Sequence, residues 1–131
     1  MENRDESIVD LRGESIGNIT LQSSTEEVFQ NKTLRPILKL QNDLFIQVFI
    51  NYAIKQKGGF FSLAPEKKMS YIEHVIQRDI KFRNSLKGMV IGLFTVEEYL
   101  EYIQNSSNLN KRMMNLLIER LKSQVQLLEE E

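Results

Sequence analysis

The sequence predicts an all-α protein, a single compact bundle of five or six helices preceded by an irregular N-terminal arm, and three observations carry that expectation. Apolar residues recur at three- and four-residue spacing in almost every stretch after Ser24. The stretches open on a hydroxyl, an amide or a proline and close on glycine or a polar tract, which is how helices begin and end. No two β-type runs stand where they could pair, and a lone strand has nowhere to send its hydrogen bonds.

Residues 1–23 mix charges with isolated aliphatics (Ile8, Val9, Leu11, Ile16, Ile19, Leu21) and hold no sustained period, so they read as an irregular arm. Ile19 and Leu21 are spaced for a short extended piece lying on the domain or on a second subunit. The helical domain then spans 24–131. Ser24 or Thr25 before Glu26 and Glu27 starts a short helix that runs to about Asn31, the hydroxyl capping free N–H groups and the acids meeting the positive end of the dipole.

Thr33 is the expected cap of a long central helix, residues 34–57, with Pro36 in its first turn and the Gly58–Gly59 pair as its stop. Lys39, Asp43, Gln47, Asn51 and Lys55 recur every fourth residue, one narrow polar strip on a helix otherwise coated with apolar side chains. Such a helix belongs inside a bundle. Ser62 and Pro65 open the next, whose apolar positions Met69, Ile72, Val75, Ile76 and Ile80 leave a basic face to solvent, with Asp79 and Arg83 placed to pair on it.

FRNSLKGMVIGLF reads as helix, with Phe82, Leu86, Met89 and Leu93 in one stripe and Gly88 and Gly92 on another face, where a neighbouring helix could come close. Thr95 and Glu98 form a capping box for a helix whose buried side is Val96, Tyr99, Leu100 and Ile103. Ser107 or Asn108 caps a last helix with Leu109, Met113, Leu116, Leu117, Leu121, Val125 and Leu128 in its stripe, and its acidic end, EEE, should fray.

Composition bounds the function. A chain of 131 residues can bury a core without metal or disulfide help. No run approaches the roughly 18 apolar residues of a membrane span, and the acidic start lacks a secretory signal's basic and apolar regions, so a cytoplasmic protein is expected. With no cysteine there is neither a thiol nucleophile nor a thiolate-bound metal. The formal charge of −1 conceals −4 over 1–33, +1 over 34–53, +5 over 54–87 and −3 over 88–131, a basic middle that the acidic ends are expected to neutralise.

Chemistry-bearing patterns are sparse. His74 is the only histidine and follows Glu73 directly, without the Glu-x-x-His pairs of di-iron bundles, so no metal or other cofactor is expected. Asp79 lies five residues on, about 140° around a helix, off the face of His74. No phosphate-cradling glycine loop, nucleophile elbow or dinucleotide fingerprint occurs. The candidate functional surface is therefore His74, Arg78, Lys81, Arg83 and Lys87 on the basic stretch.

The runs NKTLRPILKLQNDLF and FRNSLKGMVIGLFTVEEYLEYIQNSSNLNKRMMN resemble the recurring core of a family of short bacterial proteins of about this length, over roughly residues 25–125. Members often carry the automatic label glyoxalase. That label implies a lactoylglutathione lyase-like enzyme, which on this chain would have to use His74. Glyoxalase I proteins are built from βαβββ units with several His and Glu ligands, and glyoxalase II proteins carry H-x-H-x-D-H; one histidine supports neither pattern. The reading that results is a small cytoplasmic interaction or scaffold module, homodimeric and more a binder than an enzyme. Its alternatives are the glyoxalase-type enzyme and a weak nucleic-acid binder working through the basic 67–87 face. The apolar excess motivates the dimer, since monomers seldom leave such surface uncovered.

Overall fold

In the computed structural model, which describes residues 3–130, every regular element is helical and there is no strand. The arm and acidic-tail expectations include Met1, Glu2 and Glu131, which lie outside the described residues. Seven helices are described: α1 (Arg4–Arg12), α2 (25–40), α3 (Asn42–Lys55), α4 (Pro65–Arg78), α5 (Ile80–Ile91), α6 (Val96–Tyr102) and α7 (Ser106–Ser123). Single 3-10 turns stand at Phe60–Ser62 and Val125–Leu127. The count exceeds five or six because the arm, read as irregular, contains α1.

That helix forms without an apolar period because its ends are well capped. The Asn3 side chain accepts the Glu6 N–H at 2.9 Å, Asp5 and Glu6 occupy the first turn, and Gly13 at φ +80° turns the chain out. No α1 residue is buried, so its attachment is polar. Arg4 donates to the carbonyls of Phe94 and Gly92, each at 2.8 Å, and Arg12 to that of Leu93 at 3.1 Å. The Asp5 carboxylate accepts the Val96 N–H at 3.2 Å. Cations thus meet the negative end of α5 and an anion meets the positive end of α6, so the arm clasps the junction between them. Beyond α1 the Ile16 N–H reaches the Asn31 carbonyl at 2.8 Å, and Gly17, at φ +98°, lies where a Cβ would come within 3.0 Å of the Asn31 side chain.

The single central helix expected over 34–57 is instead two: its first turns continue α2, and Gln41 separates them from α3, which ends at Lys55. α2 passes through an α segment (Thr25–Phe29), a π turn (Gln30–Leu34) and a second α segment (Arg35–Leu40), and the break comes at Gln41. Pro36, expected in a first turn, lies in the interior just after the π turn, where Arg35 N–H bonds five residues back to Gln30. Proline cannot give the Lys32 carbonyl its partner four residues on; Arg12 Nη2 reaches that carbonyl at 3.4 Å. Thr33 is consequently not a cap but a buried hydroxyl inside a helix.

Phe45 and Phe49 on α3 are buried, and the Phe49 ring touches those of Tyr52, Phe60, Tyr71 and Phe82 at 5.4–6.3 Å between centroids. Yet α3 is not sheathed all round. Asp43, Leu44, Gln47, Asn51, Ile54 and Lys55 are exposed, so the polar strip is broader than expected and includes two large apolar side chains. The hub is α7, which buries Leu109, Met113, Met114, Leu117, Ile118 and Leu121 and packs on α2, α4 and α5. Its N-cap is Asn105, and the helix ends at Ser123, with Leu128 reaching the core from the turn beyond.

The cap of α4 is Ala64 with Pro65 at the first helical position, while Ser62 belongs to the preceding turn and donates to the Gly59 carbonyl. Asp79 alone separates α4 from α5. It accepts from Phe82 N–H as the α5 cap, at 3.1 Å, and from the Tyr52 hydroxyl at 2.7 Å, and so makes no pair with Arg83. FRNSLKGMVI is helical, but Gly88 has open space around the site of its missing Cβ and Gly92 meets only a backbone oxygen of its own helix. No neighbouring helix uses that close approach.

Candidate functional site

The local sequence of α6 decides which of its faces turns inward. The Thr95 side chain accepts the Glu98 N–H at 3.1 Å, and a Glu98 oxygen accepts the Thr95 N–H at 2.8 Å, closing the expected capping box. The same carboxylate is gripped from behind. Arg12 engages both its oxygens, Nη2 lying 2.7 Å from Oε2, and the Thr33 hydroxyl donates to Oε2 at 2.7 Å. The two side chains are 4% and 13% exposed, so this is a largely buried ion pair joining arm, α2 and α6. Burial alone would raise the Glu98 pKa; the Arg12, Thr33 and Thr95 donors outweigh it and hold the carboxyl below its usual range. The Arg12 Nε–H has no partner among the described residues.

Four residues on from Glu98, Tyr102 also points in. Its ring packs edge-on to Phe94 and its hydroxyl donates to Asn110 at 2.6 Å. Once positions 98 and 102 face the core, helix geometry sends 96, 99, 100 and 103 outward. Val96, Tyr99, Leu100 and Ile103 are 60%, 45%, 56% and 47% exposed. This reverses the expectation that they form the buried side of α6. Apolar residues at this spacing make a core stripe or a docking face alike, and what distinguishes the two here is that an acid and a tyrosine take the inward positions.

Beside this stripe lies a hollow of about 650 Å³ between the arm, α2 and α6. Glu14, Glu97 and Glu101 line it with Lys32 and the Arg12–Glu98 pair, and none of those three acids forms a salt bridge among the described residues. A second hollow of about 450 Å³ is lined by Tyr52, Asp79, Lys81 and Phe82, the Tyr52 and Phe82 rings stacked at 3.9 Å. Burial and the bond to Asp79 push the Tyr52 hydroxyl well above the phenol range, and the same bond, with the Phe82 N–H, holds Asp79 below the carboxylate range.

Of the candidate surface residues, His74, Arg78 and Lys81 are exposed and Arg83 and Lys87 half-buried. Lys81 lines the Tyr52 hollow; the other four line neither hollow. His74 and Arg78 stand on α4, and Lys81, Arg83 and Lys87 on α5. Among the described residues no three His, Asp or Glu side chains are placed to hold a metal ion. The basic side chains Lys67, Lys68, Arg78, Lys81, Arg83 and Lys87 form no salt bridges among the described residues, so the acidic ends do not neutralise the middle by direct pairing. No helix is long and apolar enough to cross a membrane among the described residues.

The Arg12–Glu98 pair joins residues 86 apart in the chain, and nothing in either neighbourhood signals the other. Glu98 itself was legible through its capping box. No family model, curated protein or solved structure matches the chain.

Proposed function

We propose that the protein is a small cytoplasmic interaction module, working through its surfaces and not by bond-breaking chemistry, and that it pairs with a second copy of itself along α3. The observation that carries the pairing is the chemical symmetry of the exposed α3 strip about residue 49. Asp43 and Lys55, Leu44 and Ile54, and Gln47 and Asn51 are each equidistant from that point and all exposed. Two such strips laid antiparallel about a two-fold axis set leucine against isoleucine and amide against amide, and bring the acidic end of each to the basic end of the other. The dipoles of the two helices also oppose favourably. A strip this short favours a weak dimer over an obligate one.

Sedimentation over a concentration series from about 10 μM to about 1 mM tests it. The expected mass rises from the 15.4 kDa of one chain toward twice that value, and Leu44→Glu with Ile54→Glu holds it at one chain. A wild-type mass that never departs from one chain ends the pairing, and a dimer lost on Ile103→Asp but kept in the α3 variant moves the interface to α6.

A second reading, weak nucleic-acid binding through the basic 67–87 face, is supported by the lack of salt bridges to its lysines and arginines among the described residues. It requires retention on DNA or RNA that falls with salt and weakens when Lys81, Arg83 and Lys87 are neutralised.

A further inference from the structure

The acids beside α6 indicate what its apolar stripe is suited to hold. We infer that this face receives a basic amphipathic helix of another protein, an assignment that rests on the interaction-module reading and names its partner. Val96, Tyr99, Leu100 and Ile103 stand at i, i+3, i+4 and i+7, the spacing with which one helix meets another across an apolar seam. Glu97 and Glu101, one turn apart, flank that seam on a single side, and Glu14 from the arm's linker joins them in the same hollow. Arg12 already neutralises Glu98, so the three remaining acids outnumber Lys32, the other cation lining the hollow. An incoming helix with leucine-type residues on its seam and lysine or arginine along one edge would fill the stripe and place its charges over those acids.

A second copy of the chain fits this face poorly. Packed antiparallel about a two-fold axis, the two copies would set Glu97 and Glu101 on the same side of the seam, like charge on like charge, and packed parallel they would set those acids against the opposite edge of a segment, 95–103, that holds no lysine or arginine. Nor do α4 and α7 offer a complementary helix. The exposed side of α4 is polar, with Lys67, Ser70, Glu73, His74 and Arg78, and that of α7 carries Ser107, Lys111, Asn115 and Glu119.

The test uses the full-length protein and two synthetic amphipathic helical peptides, one of leucine and lysine and one of leucine and glutamate, followed by fluorescence anisotropy. The wild type should bind the Leu/Lys peptide at least about tenfold more tightly than the Leu/Glu peptide, with affinity that falls as salt rises. Ile103→Asp should weaken that binding at least about tenfold, and Leu100→Gln should weaken it less; both sites are exposed, and circular dichroism verifies their folding. Glu97→Lys with Glu101→Lys should reverse the preference between the peptides. Absence of binding by the wild type, binding indifferent to Ile103→Asp, or a preference unchanged by the charge reversal would each overturn the inference. Lost peptide binding with the α3 dimer intact strikes the partner assignment alone, and lost dimerisation with peptide binding intact strikes the α3 pairing alone.

Discussion

Replacing Arg12 with alanine tests how the arm is held. Arg12 pairs with both oxygens of Glu98 and donates to the Leu93 and Lys32 carbonyls at 3.1 and 3.4 Å. Removing one partner of a buried ion pair costs about 3–5 kcal/mol when the survivor is left bare. Glu98 would not be bare, because the Thr33 hydroxyl and the Thr95 N–H still reach it. Loss of the guanidinium also removes an unpartnered buried Nε–H, whose desolvation costs about 1 kcal/mol or more. The balance is about 2–3 kcal/mol, or a fall of about 10 °C in melting temperature for a chain of this size. Arg4→Ala is the comparison: its side chain is 53% exposed, and loss of its two carbonyl bonds should cost about 1 kcal/mol. Urea unfolding followed by circular dichroism reads both. An Arg12→Ala cost under about 1 kcal/mol, or one no larger than that of Arg4→Ala, would refute the claim that this pair anchors the arm.

Three further predictions bear on the fold. Glu98 is held below its ordinary pKa, so the stability it contributes is complete above about pH 4.3, the unfolded value, and is lost as pH falls through the folded one; Glu98→Gln, which keeps a capping-box side chain, should flatten the acid limb of a stability-versus-pH curve, and an unaltered limb would contradict this. Gly88→Ala should raise stability by about 0.5–1 kcal/mol, because the added Cβ meets nothing in an exposed helix interior, whereas a helix packed on that face would make it destabilising in thermal melts. Phe49→Leu should cost about 1–3 kcal/mol in urea unfolding through loss of its four ring contacts, and a neutral result would mean that α3 does not enter the core as described.

Much of the helical framework was legible because it is written locally. The Thr95–Glu98 box, the Ser24 cap of α2 and the α7 stripe all depend on residues a few positions apart, whereas the expected Gly58–Gly59 stop lies beyond the end of α3, which Gln56 caps in extended conformation, and Gly59 opens the Phe60–Ser62 turn. What escaped depends on distance. The charges of α1 look like a solvated arm until their partners, the α5–α6 carbonyls and Glu98, are folded beside them. Pro36 looked like a helix start because a π turn that absorbs a proline has no local signature. The α6 stripe has the apolar period of a core face, yet it faces solvent because Glu98 and Tyr102 take the inward positions. Of the five basic-face candidates only Lys81 lines either hollow, and the more promising surfaces lay where periodicity suggested burial.

The pairing along α3 can be measured directly, because the chain contains no cysteine and any thiol introduced is the only one present. Single-cysteine variants Gln47→Cys and Asn51→Cys, with Asn115→Cys on the exposed side of α7 as a control, are mixed pairwise under mild oxidation and the disulfide products counted by mass spectrometry. Antiparallel pairing about residue 49 predicts that the bond between position 47 of one copy and position 51 of the other forms fastest, ahead of either same-position bond and of any bond to position 115. Equal rates at all three positions, or a preference for 47 with 47 as parallel strips would give, would contradict the account.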